Sequence, residues 1–470
     1  MSRYKKLLNN SIIFTIGNFG SKLINLFMVP LYTNVLTTSE YGTVDLIITT
    51  IGLLVPFFSL SLGHAALRFT IDATSIKDKQ SIFNNISLHG LLASLILLLL
   101  YPLINSFSVF SEYGIYFVLL MILNLFNDLY SQFVRGVGLV KQYAINGIIM
   151  TLVTVSTNLL LLVVFDFGIN GYIISLIIAV FISNLYLLFS ISNIINLIPK
   201  FFDVNLYKEM LSFSIPIIPN TVMWWLINGS TRYFLLYFVG TAANGLFAVA
   251  NKIPSIISMV TNIFMQAWQL SSFEEYNSSD KDKFYSTIFN GFSTILFIVG
   301  SGILVILKPA LRILVEQTFY ESWTIVPFLI IGVIYQSFSA FLGTNYTASK
   351  NTKGTFTTSL YGGVVSVVSS LVLIPTIGTI GAGISTALSF IIMFVLRYVD
   401  TKKFVTIDFD NRIFLGNNLI LFVQIVLLFI FEGILLIVLE LICFILLILI
   451  NKSLLNTIYE IFVKRIIKAK

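Results

Sequence analysis

The sequence predicts an all-α polytopic membrane protein of about fourteen transmembrane helices, built as two pseudo-symmetric six-helix lobes plus two C-terminal helices. Three observations carry this. Hydrophobic residues fill 57% of the 470 positions and charged residues only 10%, where a surface facing water asks for about 25% charged. The apolar residues recur from residue 11 to residue 451 in blocks of roughly 20, long enough to cross about 30 Å of hydrocarbon as helix. The basic residues also sort to one side of those blocks.

Taken in order, the spans are expected at 11–36, 43–68, 83–108, 114–134, 142–165, 171–194, 212–238, 246–270, 284–307, 323–344, 355–374, 382–400, 413–431 and 434–451. The first block follows Arg3, Lys5 and Lys6, but it is too long for a cleaved signal peptide and shows no small-residue cleavage site. Only Glu432-Gly433 divides the last two blocks.

Lysine and arginine set the orientation. With the N-terminus in the cytoplasm, inner loops hold 22 of the 28 basic residues, among them Lys77, Lys79, Lys350, Lys353, Arg397, Lys402 and Lys403. Outer loops hold Lys308 and Arg312, and four cations fall inside spans. A bias kept loop after loop places both termini inside and implies an even number of spans. The longest outer loop is Lys308–Ser322, so no soluble domain is expected on that face.

The chain also repeats itself weakly. Asp166-Phe-Gly168-Ile-Asn-Gly171-Tyr-Ile-Ile-Ser175 matches Thr376-Ile-Gly378-Thr-Ile-Gly381-Ala-Gly-Ile-Ser385, both in outer turns. Ser11, Ile12 and Gly42 likewise match Ser214, Ile215 and Gly245. Six spans separate the copies, which gives parallel halves related by an axis along the membrane normal. The expected divisions are a lobe at 1–197, a cytoplasmic linker at 198–210, a second lobe at 211–403, and two extra helices with a basic tail at 404–470.

Several function classes lose support. One cysteine, Cys443, permits no internal disulfide, and with two histidines, His64 and His89, no metal site is expected. Asp408-Phe-Asp410 stands alone in a basic loop and reads as solvated surface. There is no nucleotide-binding loop, HExxH, CxxC or Ser/His/Asp set, so no cofactor and no enzyme activity are expected. The net charge of +7 follows from membrane topology rather than nucleic-acid binding. Pro216, Pro219 and Pro254 are expected to kink spans seven and eight.

Charges inside spans cost from about 2.5 kcal/mol upward, so they are candidates for function. Lys22, beside Gly20-Ser21 and Asn25, lies near the middle of the first span. Arg68 closes the second, Arg232 lies in the outer part of the seventh, and Lys252 stands two turns into the eighth. Asp45 and Asp128 are the acidic counterparts, as coupling-ion sites or charge partners. Blander readings stand beside these. Arg68 and Arg232 are near enough to span ends to snorkel, Asp45 suits an interface, and Lys22 could pair with Asp128. The sharper expectation is a cationic cavity between the lobes, since lysine and arginine suit phosphate oxygens.

The segments Asn10-Ser11, Pro30-Leu31-Tyr32-Thr33-Asn34-Val35-Leu36, Glu40-Tyr41-Gly42, Leu62-Gly63-His64-Ala65-Ala66-Leu67-Arg68-Phe69 and Gly245-Leu-Phe-Ala-Val-Ala-Asn-Lys252 resemble Wzx-type polysaccharide flippases. These belong to the multidrug/oligosaccharidyl-lipid/polysaccharide exporter superfamily. The resemblance implies alternating-access export of undecaprenyl-diphosphate-linked oligosaccharide across the bacterial cytoplasmic membrane, for O-antigen or capsule. It also implies membrane lipid, a polysaccharide polymerase and a chain-length regulator as partners. Under it, Lys22, Arg68, Arg232 and Lys252 become contacts for the diphosphate or sugar anions; only Arg68 and Lys252 carry over by position. A diphosphate of charge about −2 moving outward would gain roughly 2.3 kcal/mol per charge per 100 mV. The competing readings are a multidrug or cation antiporter, a peptidoglycan-precursor flippase, and a membrane polysaccharide polymerase.

Overall fold

A computed structural model describes residues 24–454 apart from 25, 108–110, 199–200, 277, 350–352 and 453. No strand occurs among the described residues. The chain divides into two compact units, Met1–Trp225 and Leu226–Lys470.

Unit one begins with α1 (Val29–Val35) and α2 (Thr38–Phe58). Thr37 caps α2 in a reciprocal box with Glu40, satisfying amide groups that the first turn leaves open. The expected span 43–68 is then broken. Leu60 and Ser61 take φ of 47° and 52°, a left-handed conformation costly for a branched side chain. The chain resumes as α3 (Leu62–Asp72). There follow α4 (Ile76–Leu99), the short α5 (Tyr101–Asn105), α6 (Gly114–Gly136), α7 (Val140–Asn158, continued by a π turn to Val164), α8 (Gly168–Ile191) and α9 (Val204–Ser214). A core of Leu62, Phe83, Leu125, Phe133, Leu187 and Met210 joins α3, α4, α6, α8 and α9. On α4, by contrast, Leu91, Leu92, Leu95, Leu98 and Leu99 are all exposed. An apolar face of that extent belongs against lipid tails rather than water.

The segment entering α9 is fastened to α4. Asn85 bonds both the carbonyl and the amide of Asp203, at 3.0 and 2.9 Å, and Gln80 does the same for Asn196. Asp203 in turn caps α9 through the amides of Asn205 and Leu206. Buried His89 adds a third tie. Its Nε2 lies 2.9 Å from the Phe58 carbonyl and must donate, so Nδ1 accepts from the Tyr207 hydroxyl at 2.8 Å.

The division between the units falls within α10 (Ile218–Asn228), reached through the 3-10 turn Ile215–Ile217 where Pro216 and Pro219 remove helix hydrogen bonds. Unit two continues with α11 (Ser230–Phe238), α12 (Thr241–Lys252), α13 (Ser255–Glu275), α14 (Lys281–Leu314), α15 (Val326–Ala348), α16 (Lys353–Thr401), α17 (Asn411–Ile430) and α18 (Gly433–Ile450). The axis bends by 45° between α12 and α13, at the expected Pro254 kink. Helix contact inside lipid gains little from the hydrophobic effect and depends on close packing. Stacked rings supply much of it here, as in Trp268 on Phe341 at 4.3 Å.

The 49-residue α16 is two helices joined at a break. Ile377 and Gly378 leave helical geometry, with Gly378 at φ 60° and ψ −135°. Its halves correspond to the expected spans 355–374 and 382–400. Gly168, at the matching place in unit one, also has positive φ, 51°. Three residues further, Gly171 and Gly381 both sit hard against the preceding helix. A Cβ on Gly381 would lie 2.4 Å from the Leu373 carbonyl oxygen, and one on Gly171 3.2 Å from that of Leu161. The sequence repeat is therefore a repeat of turn geometry.

Among the described residues, eleven helices are long and apolar enough to cross a membrane, or twelve if the bent α12–α13 pair is one span. The expected count was fourteen. Two expected spans merge in α16, and the first, 11–36, lies mostly outside the described residues. The protein is a multi-pass membrane protein.

Candidate functional site

Lys22 falls outside the described residues, so the cations described in unit one reduce to Arg68 among those expected. It stands on α3, exposed, and its Nη1 donates to Asp72 at 3.0 Å, one turn on. Such exposed pairs stabilise by about 0–1 kcal/mol. Asp45 lies two turns into α2, half-buried, close enough to influence the Tyr41 and Tyr172 hydroxyls. Those tyrosines form a buried stack with Tyr32, which faces Tyr172 at 4.5 Å and accepts from Asn158 at 2.8 Å.

Asp128 on α6 meets α3 where that helix has no side chain. A Cβ on Gly63 would come within 2.6 Å of an Asp128 carboxylate oxygen. Immediately before Asp128 on α6, Asn127 donates to Ser183 at 2.7 Å and to Asn184 at 2.9 Å. Ser183 donates onward to Asn146 at 2.8 Å. This polar network ties α6, α7 and α8 together, and no sequence motif points to it.

Of the in-span cations expected, unit two holds Arg232 on α11 and Lys252 on α12. The Arg232 guanidinium sits 5.4 Å above the Phe247 ring, a cation–π contact, and donates to the Asn228 carbonyl at 2.7 Å. Lys252 ends the same helix, five residues after Phe247 and so about 7.5 Å further along the axis. Its charge suits the negative end of the helix dipole. Around it, Gly245, Phe247, Ala248, Val249 and Ala250 are buried, which accounts for the apolar residues of that motif.

Two cations assigned to loops are not in loops. Lys308 was expected in an outer loop, just past the span at 284–307. Instead α14 runs through Pro309 to Leu314, as proline permits in such helices. Buried Lys308 lies 4.1 Å from the Trp323 ring and donates to the Phe431 carbonyl. Arg397, expected to mark an inner loop, is only 2% exposed on α16. Its Nε donates to Thr358 at 3.0 Å, Nη1 to the Ser339 carbonyl at 2.7 Å, and Nη2 to Ser359 at 3.0 Å. Gly343 makes room for it, since a Cβ there would be 2.9 Å from Nη1.

A buried acid also escaped the sequence reading. Glu440 on α18 is fully buried and accepts from Gln424 of α17 at 2.8 Å. Gln424 accepts from Ser301 of α14 at 2.7 Å. The second carboxylate oxygen of Glu440, Oε1, has no hydrogen-bond partner among the described residues. Among the described residues no group of acidic, histidine or cysteine side chains could hold a metal ion.

Residues 7–269 match the polysaccharide biosynthesis protein family. The chain belongs to this family. This is the Wzx-type group that the opening and Gly245–Lys252 motifs resemble, and the match spans more than half of the chain. No curated protein matches it by sequence. Among solved structures, this family member is similar to "Lipid II flippase MurJ, inward closed conformation", with 15% identity, 97% of this chain and 100% of that chain covered, and a TM-score of 0.72. It is also similar to an inward-facing multidrug resistance MATE family transporter of the MOP superfamily, with 12% identity, coverage of 82% and 95%, and a TM-score of 0.67. At such identities the likeness concerns the fold alone.

Proposed function

We propose that this chain is a flippase that moves undecaprenyl-diphosphate-linked oligosaccharide repeat units across the bacterial cytoplasmic membrane, for O-antigen or capsule, by alternating access. The observation that carries the reading is the family match over residues 7–269. The cations held within the spans support an anionic cargo, with Arg232 and Lys252 on adjoining helices of unit two. Under this reading Lys22, Arg68, Arg232 and Lys252 contact the diphosphate or sugar anions. Asp45 and Asp128 are the acidic sites for a coupling ion.

The proposal keeps 1–197 and 211–403 as six-helix lobes, 198–210 as the linker, 404–470 as added helices and tail, and both termini in the cytoplasm. The matched glycine turns at Gly168 and Gly378 support the two-lobed part. A polymerase and a chain-length regulator are the partners it would serve. The MurJ-like fold favours a second reading, a peptidoglycan-precursor flippase.

Lys252→Ala tests the first reading. Surface polysaccharide should be lost while the amount of protein in the membrane stays normal. Undiminished polysaccharide in both Lys22→Ala and Lys252→Ala cells would remove the cationic-site account.

A further inference from the structure

The two halves of α16 leave a groove of about 510 Å³ where the helix begins and ends. At ~30 Å³ per water-sized group, it has room for a glycerophosphate head and the first carbons of its chains. The walls differ in kind. Tyr361, Val395 and Val399 line one part and are largely exposed, so in a membrane they face acyl chains. Lys353 and Lys403 line the other, at the level where the spans end.

The floor is built rather than incidental. Gly354 presses against Tyr346 and Asp400 so closely that a Cβ would meet a ring carbon at 2.1 Å. Thr358, also in the lining, receives the hydrogen bond from the buried Arg397. One carboxylate faces the groove. Asp400 is engaged by the Tyr346 hydroxyl at 2.8 Å and by Lys403 at 2.7 Å. Two lysines against that single acid leave the groove net positive, and a basic pocket between helices at a membrane surface suits an anionic lipid head.

We propose that this groove holds an anionic phospholipid of the surrounding membrane, with its phosphate between Lys353 and Lys403 and its chains along Tyr361, Val395 and Val399. The site is separate from the cations proposed to meet the transported cargo and needs no transport to be observed.

Native mass spectrometry of the full chain, titrated with phosphatidylglycerol or phosphatidylcholine, tests it. The wild type should retain phosphatidylglycerol preferentially. Lys353→Ala with Lys403→Ala should weaken that retention roughly 30-fold, from about one charge interaction per lysine, and leave phosphatidylcholine unchanged. Val399→Asp should give a similar loss with both lysines intact, and it decides the matter if the double variant misfolds. Lys77→Ala with Lys79→Ala, a basic pair on unit one, should have no effect. Equal retention of the two lipids by the wild type, or equal loss from the Lys77/Lys79 variant, would overturn the proposal. So would displacement of phosphatidylglycerol by inorganic phosphate alone, which would make the groove a phosphate site.

Discussion

Arg397→Lys keeps a positive charge at its position and should nevertheless destabilise unit two. The guanidinium reaches three acceptors from three different nitrogens, Thr358 through Nε, the Ser339 carbonyl through Nη1 and Ser359 through Nη2. An ammonium is a single point and cannot span that fork. If two of the three bonds are lost, at about 1.5–3 kcal/mol for each bond to a charged group, the cost is at least ~3 kcal/mol. The buried charge remains, now poorly satisfied. Arg397→Met removes the charge together with its desolvation penalty, and Thr358 still donates to the Gly354 carbonyl at 2.7 Å. The apolar variant should therefore be the milder, at about 1 kcal/mol. Thermal unfolding in detergent, followed by monodispersity on size exclusion, should place the lysine variant roughly 6–12 °C below wild type. A lysine variant that melts with wild type, or a methionine variant that melts below the lysine one, would refute the reasoning.

Glycine substitutions should separate by the space around them. Gly381→Ala places a Cβ against backbone that no rotamer change can clear, and an overpacking cost of about 1–3 kcal/mol should appear as a lower melting temperature. Gly147→Ala, in a helix with nothing within 4 Å, should be neutral or raise it. Similar behaviour of the two would contradict the close approach at the α16 turn. Gln424→Leu deprives the buried Glu440 of its amide donor and should cost about 3 kcal/mol, whereas Gln424→Leu combined with Glu440→Leu should recover most of it. Additive losses in that double variant would show that the pair is not coupled.

The sequence signals that proved reliable were those with one physical meaning. Pro254 removes a helix hydrogen bond wherever it stands, and the axis bends there. Gly168 and Gly378 repeat because both turns need positive φ. Apolar block length located most spans, but it could not show the break at Leu60–Ser61, whose residues carry no turn signature. The site was harder to read because a charge near a span end has two outcomes with the same sequence appearance. Arg68 lies near one end and pairs at the surface with Asp72, while Arg397 lies near another and is buried among hydroxyls. What separates them is the neighbouring helix, where Gly343 opens space for Arg397. Glu440 was hidden for the same reason, since its support comes from Gln424 and, through it, Ser301, on other helices.

The most direct test of the flippase proposal is leaflet exchange in proteoliposomes. Purified protein would be reconstituted with an undecaprenyl-diphosphate-linked oligosaccharide, and a lectin added outside would report arrival of the sugar at the outer leaflet. The proposal predicts exposure that depends on the protein, speeds up when the lumen is negative, and is lost in Lys252→Ala. Exposure no faster than in protein-free liposomes, with a cationic dye moved instead, would contradict it.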